Sequence, residues 1–329
     1  MERNESLMQM ASKTQTAPTP PVGARLQQPK KKKKPMNWNL LVLAVPGLIF
    51  LILFYYLPLF GLILPFKKLD YSKGILGSEW IGFKNFEFFF KSQDAVRVTR
   101  NTLVLNFLFI TITLVLAVIL ALFLFELPRN NVKVYQTCLF VPYFISWVVA
   151  SYVLYALINP TSGMIPHILK EAGQKVPNFY NEKKYWTFFL VVCYVWKNIG
   201  YMTLMFYTTL MGMDSTYVEA AELDGANKLQ IALHISLPYL KPVIILMTLL
   251  QIGKIFYADF GMFYFLTRDS GTLYAVTDVI DTYVYRALRV TGDVGMSSAV
   301  GLYQSIVGFI LVLVSNLVVR KIDKDSAMF

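Results

Sequence analysis

Residues 215–242 read S-T-Y-V-E-A-A-E-L-D-G-A-N-K-L-Q-I-A-L-H-I-S-L-P-Y-L-K-P, polar for a chain this apolar. Long apolar runs flank them, so the stretch reads as a loop held between two membrane spans. Its local chemistry is that of two short helices. Thr216 followed by Glu219 has capping-box spacing, in which the hydroxyl and the carboxylate each accept from an orphan backbone N–H. Asp214 and Ser215 are alternative caps. The first helix is expected from about Tyr217 to Asp224, with Gly225 ending it in a left-handed conformation. A second is expected to begin near Ala226 and to stop before Pro238, since the residue preceding a proline is pushed out of the helical region.

The spacing is Glu219-Ala220-Ala221, then Asp224-Gly225, then Ile235, Leu237 and Pro238. This pattern resembles the cytoplasmic coupling loop, the EAA loop, of permease subunits in binding-protein-dependent ABC importers. The resemblance implies that these eight residues meet an ATPase subunit. Two alanines beside a carboxylate make a narrow helix face that can enter a partner's cleft, and Gly225 lets the chain turn there. The resemblance further implies an all-α polytopic membrane protein with six transmembrane helices, in a bacterial cytoplasmic membrane with both termini inside. Its implied partners are a second, homologous permease, an ABC ATPase dimer, an extracytoplasmic sugar-binding protein and an oligosaccharide substrate. No cofactor is expected on this chain, because ATP and Mg²⁺ belong to the ATPase subunits.

Outside the loop, V-P-G-L-I-F-L-I-L-F-Y-Y-L-P-L-F-G (45–61), R-N-T-L (100–103) and T-D-V-I-D-T-Y-V-Y-R-A-L (277–288) are similar to one subgroup. These are the maltose-type permeases for complex oligosaccharides and polysaccharides, including alginate- and pectin-derived sugars. Unlike the maltose permease itself, this chain has no large external domain inserted between spans.

Composition agrees. Of 329 residues 56% are hydrophobic and 16% charged, and a soluble domain this apolar would expose large patches. The net charge of +11 suggests nucleic acid until it is located: eight of the basic residues precede residue 40, five of them in the run Lys30–Lys34. Beside a membrane span such a run reads as a cytoplasmic anchor on anionic lipid, not as a nucleic-acid contact. Counted over the whole chain, Lys and Arg divide almost evenly between the two sides, so orientation rests on that run and on the loop. Cys138 and Cys193 lie in apolar segments, and His167 and His234 lack ligand-spaced companions.

In chain order, residues 1–36 read as a disordered basic tail and 37–329 as the permease domain. Spans are expected at about 40–64, bent by Pro46 and Pro58, then 102–125, 135–158, 185–211, 242–265 and 298–319, with the coupling loop at 213–240. Residues 65–100 are aromatic and basic, suited to a membrane interface with a short helix lying flat. Thr277, Asp278 and Asp281 open an amphipathic helix with Val276, Ile280, Tyr283 and Ala287 along one side.

No P-loop, G-x-S-x-G, H-E-x-x-H or paired-cysteine set is present, and the loop carboxylates have no evident partners, so the chain reads as a non-enzyme. What remains is a path. Lys197 and Lys254 lie within spans, where charge is costly. Each either pairs with a carboxylate such as Asp259 or snorkels to an interface, or else lines a wet cavity. In that cavity Tyr143, Tyr152, Trp196, Tyr201, Gln251, Tyr257, Tyr303 and Gln304 would stack on sugar C–H faces and hydrogen-bond hydroxyls. An unpaired lysine at that depth would suit an acidic oligosaccharide. Two other readings compete: an ion-coupled secondary transporter using Lys197, Lys254 and Asp259, and a membrane scaffold that transports nothing.

Overall fold

A computed structural model describes residues 38–322; the expected tail at 1–36 lies outside them. The chain divides into two units, Met1–Pro58 and Leu59–Phe329. In the first, α1 (Trp38–Leu51) runs into a π turn at Ile52–Tyr56, where the Leu57 amide bonds the Ile52 carbonyl five residues back. Pro58 follows directly. Proline lacks an N–H and its ring presses on the carbonyl four residues back, so a widened turn before it lets a helix continue.

In the second unit, β1 (Lys67–Lys68) pairs antiparallel with β2 (Glu79–Trp80), and the one-turn α2 (Gly74–Gly77) lies between them. Lys67 is buried, and its ammonium donates to the carbonyls of Ile75 at 2.9 Å and Leu76 at 2.7 Å. The short helix expected within 65–100 is α3 (Lys84–Lys91). Next comes α4 (Gln93–Phe125), 33 residues, roughly 50 Å long. It starts well before residue 102 because the Ser92 hydroxyl caps it, accepting from the Ala95 amide at 3.2 Å.

The expected crossing at 135–158 is not straight. It comprises α5 (Arg129–Phe140), a 3₁₀ turn at Val141–Phe144 and α6 (Trp147–Ile158), with a bend of 100°. Pro142 opens the 3₁₀ turn, and Ser146 caps the new helix through the Val149 amide at 3.3 Å. After α7 (Met164–Glu171), α8 (Trp186–Leu210) leads to the loop at the centre of the sequence argument.

There, α9 (Ser215–Leu223) is followed by α10 (Lys228–Ile231), a π turn at Ala232–Ser236 and α11 (Leu237–Ile252). The second helix therefore does not stop before Pro238: residues Lys228–Ile252 form one helical run of 25 residues. The Leu237 amide bonds the Ala232 carbonyl, five residues back, as happens ahead of Pro58. The expected span at 242–265 is corrected likewise. Helix ends at Ile252, residues 253–259 are non-helical, and α12 (Phe260–Leu266) resumes. Then come α13 (Tyr274–Thr277), α14 (Ile280–Arg289) and α15 (Val294–Ile322). Among the described residues five helical runs are long and apolar enough to cross a membrane, or six if the bent pair is one crossing.

Apolar packing joins these elements. Leu105, Phe109, Trp147, Trp186, Met262 and Phe263 unite α4, α6, α8 and α12; Ala117, Ala121, Phe206, Leu210 and Leu240 unite α4, α8 and α11. At Gly200 an added Cβ would lie 2.0 Å from the Leu139 carbonyl oxygen, so α8 meets α5 backbone to backbone. The expected amphipathic helix is α14: Ile280 and Ala287 are buried and Tyr283 partly so, while Val276 packs on the neighbouring core.

Candidate coupling surface and translocation path

The loop helix α9 has no buried residue. Its cap is Asp214, which accepts from the Thr216 amide at 3.0 Å and hydroxyl at 2.7 Å. Those two bonds hold the Asp214 carboxyl below its ordinary range. The expected Thr216–Glu219 box is absent. With Asp214 as cap the helix starts at Ser215, two residues earlier, and Thr216 is already inside it with its hydroxyl engaged. At the far end Gly225 has φ +82°. The Ala226 amide bonds the Ala221 carbonyl at 2.9 Å and the Gly225 amide bonds Glu222 at 3.0 Å, a Schellman closure. A reciprocal capping box does occur one turn later: the Gln230 amide donates to Asn227 Oδ1 at 2.9 Å and the Asn227 amide to Gln230 Oε1 at 2.8 Å.

Of the eight coupling residues, Glu219, Ala220, Asp224, Gly225 and Pro238 are exposed, and Ala221, Ile235 and Leu237 half-buried. Asp224, Gly225 and Ile235 come together in a hollow of about 410 Å³ beside Ile231 and His234; Glu219, Ala220 and Ala221 do not line it. Leu237 packs against the α4–α8–α11 core. Sequence reasoning missed three large apolar side chains here: Leu223 is 90% exposed, Leu229 67% and Tyr217 64%.

The ten path candidates are not gathered into one cavity. Lys197 donates to the carbonyl of Tyr143 at 2.8 Å and to that of Ile145, and lies over the rings of Tyr143 and Trp147. Those carbonyls belong to the bend between α5 and α6, so the ammonium fills the place of helical N–H partners that the bend removes. No ion pair joins Lys197 to Asp259 among the described residues: Asp259 caps α12, accepting from the Met262 amide at 3.4 Å and from the Trp147 indole, the ring over which Lys197 lies. Tyr143 stacks on Tyr201 with centroids 5.1 Å apart, and Trp196 is 39% exposed.

A second group surrounds the non-helical residues 253–259. Gln304 is buried, donating to the Phe256 carbonyl and to Asp281 Oδ2 at 3.1 Å, so it braces backbone instead of facing a path. Asn106 donates to the carbonyls of Ile255 at 2.7 Å and Tyr257 at 3.1 Å, and the Ala258 amide donates to Asp281 Oδ2 at 2.8 Å. Irregular backbone at membrane depth persists only with such partners. The Tyr257 hydroxyl reaches Ser305 Oγ at 3.0 Å. Lys254 is exposed and Gln251 half-buried, neither with a side-chain partner among the described residues. Tyr303 packs among Phe89, Phe90 and Phe256 and, with Arg100 and Thr99, lines a separate hollow of about 480 Å³. Tyr152 lies apart, in a cavity between α6 and α12.

Loop carboxylates that looked partnerless form a network. Asp278, its side chain fully buried, accepts from Arg97 at 3.1 Å, from Thr282 at 2.8 Å and from Arg286. Arg97 also binds Asp94 at 2.8 Å, and Arg286 binds Asp269 at 3.1 Å.

Helical crossings, one of them bent, and a polar helical loop bearing the E-A-A spacing define a polytopic membrane permease. The profile of the family described as "Binding-protein-dependent transport system inner membrane component" matches residues 114–324, and this chain belongs to that family. Protein LplB of Bacillus subtilis (strain 168) is 32% identical over 288 residues, 87% of this chain and 90% of LplB. The polygalacturonan/rhamnogalacturonan transport system permease protein YteP of the same organism is 31% identical over 320 residues, 95% of this chain and 99% of YteP. A chain in the crystal structure of a bacterial alginate ABC transporter, in complex with an alginate pentasaccharide-bound periplasmic protein, superposes with a TM-score of 0.79 at 26% identity. That superposition covers 87% of this chain and 96% of the other.

Proposed function

We propose that this chain is one transmembrane half of an ATP-driven oligosaccharide importer. It pairs with a similar permease, an ATPase dimer that binds ATP and Mg²⁺, and an extracytoplasmic sugar-binding protein. The observation that carries the reading is α9: capped at both ends, without a buried residue, and presenting Tyr217 and Leu223 beside Glu219, Ala220 and Ala221. A helix so ordered and so little used by its own chain is built for another. The carbohydrate named for YteP and the alginate pentasaccharide of the solved transporter support a saccharide cargo.

With Lys30–Lys34 flanking the first span, both termini and α9 fall on the cytoplasmic side. ATP-driven closure of the ATPases then moves α9 and α10. Because α10 continues without interruption into α11, that motion passes directly into a crossing. The sugar passes beside the two interrupted segments, where Tyr143, Tyr201, Trp196 and Tyr257 remain exposed. An ion-coupled mechanism has less to stand on, since Lys197 is occupied by backbone carbonyls. The test is uptake of an oligogalacturonate by cells lacking the ATPase gene. Loss of uptake, with indifference to ionophores in the parent strain, is expected; ATPase-independent, ionophore-sensitive uptake overturns the reading.

A further inference from the structure

The cavity holding Tyr152 is walled by α6, the second limb of the bent crossing, and by α12, which follows the non-helical residues 253–259. Its volume is about 300 Å³, at the small end for ligand sites and suited to a single sugar unit rather than a chain. Ser151, Tyr152, Tyr155 and Tyr264 supply hydroxyls and aromatic faces, and Arg268 and Asp269 close one end.

These two charged residues are both left-handed, with φ of 55° and 48°. Two successive non-glycine residues in that region cost on the order of 1–3 kcal/mol each and persist where surrounding structure enforces them. Here the turn delivers them to different uses. Asp269 is spoken for: its Oδ1 accepts from Arg286 at 3.1 Å and from the Tyr274 hydroxyl at 2.9 Å. Arg268 is exposed, its guanidinium 4.3 Å from the Tyr155 ring centroid, and it makes no ion pair among the described residues. A guanidinium resting on an aromatic ring keeps its N–H edge free in the plane, the geometry for a bidentate carboxylate.

We propose that this cavity is a subsite for one acidic unit of the cargo, with Arg268 holding a uronate carboxylate and the tyrosines flanking its ring. The inference rests on the oligosaccharide-import reading and adds the charge of the sugar and the group that reads it. Lys197 and Lys254 are not needed for it.

The experiment uses the complete importer in proteoliposomes, with saturating liganded binding protein, and compares uptake of a trigalacturonate with its carboxyl-reduced, neutral counterpart. Arg268→Gln removes the charge without changing the kind of residue asked to adopt φ 55°. The acidic sugar is expected to lose roughly tenfold in uptake rate, as one charge-assisted hydrogen-bond pair implies. The neutral sugar stays within about twofold, and Arg268→Lys falls between. Equal losses for both sugars make Arg268 structural or a contact to the binding protein and overturn the proposal, as does no loss at all. A wild-type importer that carries only the neutral form also overturns it while leaving oligosaccharide import standing. One that carries neither removes both readings.

Discussion

Two short helices of this chain are built in opposite ways. In α14, Ile280, Thr282 and Ala287 are buried and Arg286 is bound to two carboxylates. Three residues of α4 hold its start: Arg97 binds Asp278, Asn101 donates to the Asp278 carbonyl at 3.0 Å, and the Thr102 hydroxyl accepts from the Ile280 amide at 3.0 Å. The other helix, α9, buries nothing and is defined by its ends, through Asp214 and Gly225. One is fixed to its own chain. The other is shaped by its chain and, in the proposed importer, left for a partner. Damage to the first is therefore paid in stability, and damage to the second in coupling.

The largest effect expected is at Asp278. Asp278→Ala removes the buried carboxylate that both arginines share, leaving Arg97 only Asp94 and Arg286 only Asp269, a loss of about 3 kcal/mol. Thermal unfolding in detergent should show it, with transport falling only as folded protein falls. Lys197→Met exposes the carbonyls of Tyr143 and Ile145 at the bend and should cost about 1–3 kcal/mol in the same measurement. Acidic and neutral sugars should then be lost alike.

At the free helix the pattern reverses. An added Cβ at Gly225 meets nothing within 4 Å, so the penalty of Gly225→Val is conformational alone, about 1–3 kcal/mol confined to the α9–α10 turn. Sugar-stimulated ATP hydrolysis should uncouple from uptake while the unfolding midpoint barely moves. Glu219 is exposed and its side chain makes no hydrogen bond or ion pair among the described residues, so Glu219→Lys should shift the stability of the isolated chain by less than about 0.5 kcal/mol. Uptake by the assembled importer should still fall, because the charge offered to the ATPase is reversed. A stability loss there matching that of Asp278→Ala would erase the contrast between the two helices.

What the sequence disclosed follows the same division. The left-handed turn at Gly225, the Asp214 cap and the apolar face of α14 depend on residues a few places apart, and were legible. Pro238 misled because a helix stop is a local rule, whereas a π turn evades it by widening the preceding turn. Lys197 misled because its partners are carbonyls 54 and 52 residues away, and no residue type marks a carbonyl freed by a bend. Gln304 looked like a sugar ligand and is a brace for backbone 48 residues distant. The stretches 100–103 and 277–288, distant in sequence, touch each other through Asn101, Thr102, Asp278 and Ile280. Arg268 and Tyr155 are not legible in the sequence, because an arginine in a loop and a tyrosine in a span carry no pattern until folding stacks them.

The claim on which the account turns is that α9 belongs in a cleft of an ATPase subunit. It is tested most directly by placing a single cysteine at Ala220, in a background with Cys138 and Cys193 replaced, and measuring its labelling by a membrane-impermeant maleimide in inside-out vesicles. With the permease pair alone, Ala220→Cys should label rapidly, as its exposure requires. With the ATPases assembled, labelling should fall at least about tenfold and recover when they are stripped away, as burial in a docked interface predicts. Equal labelling with and without the ATPases, in vesicles that still import sugar, would contradict the account.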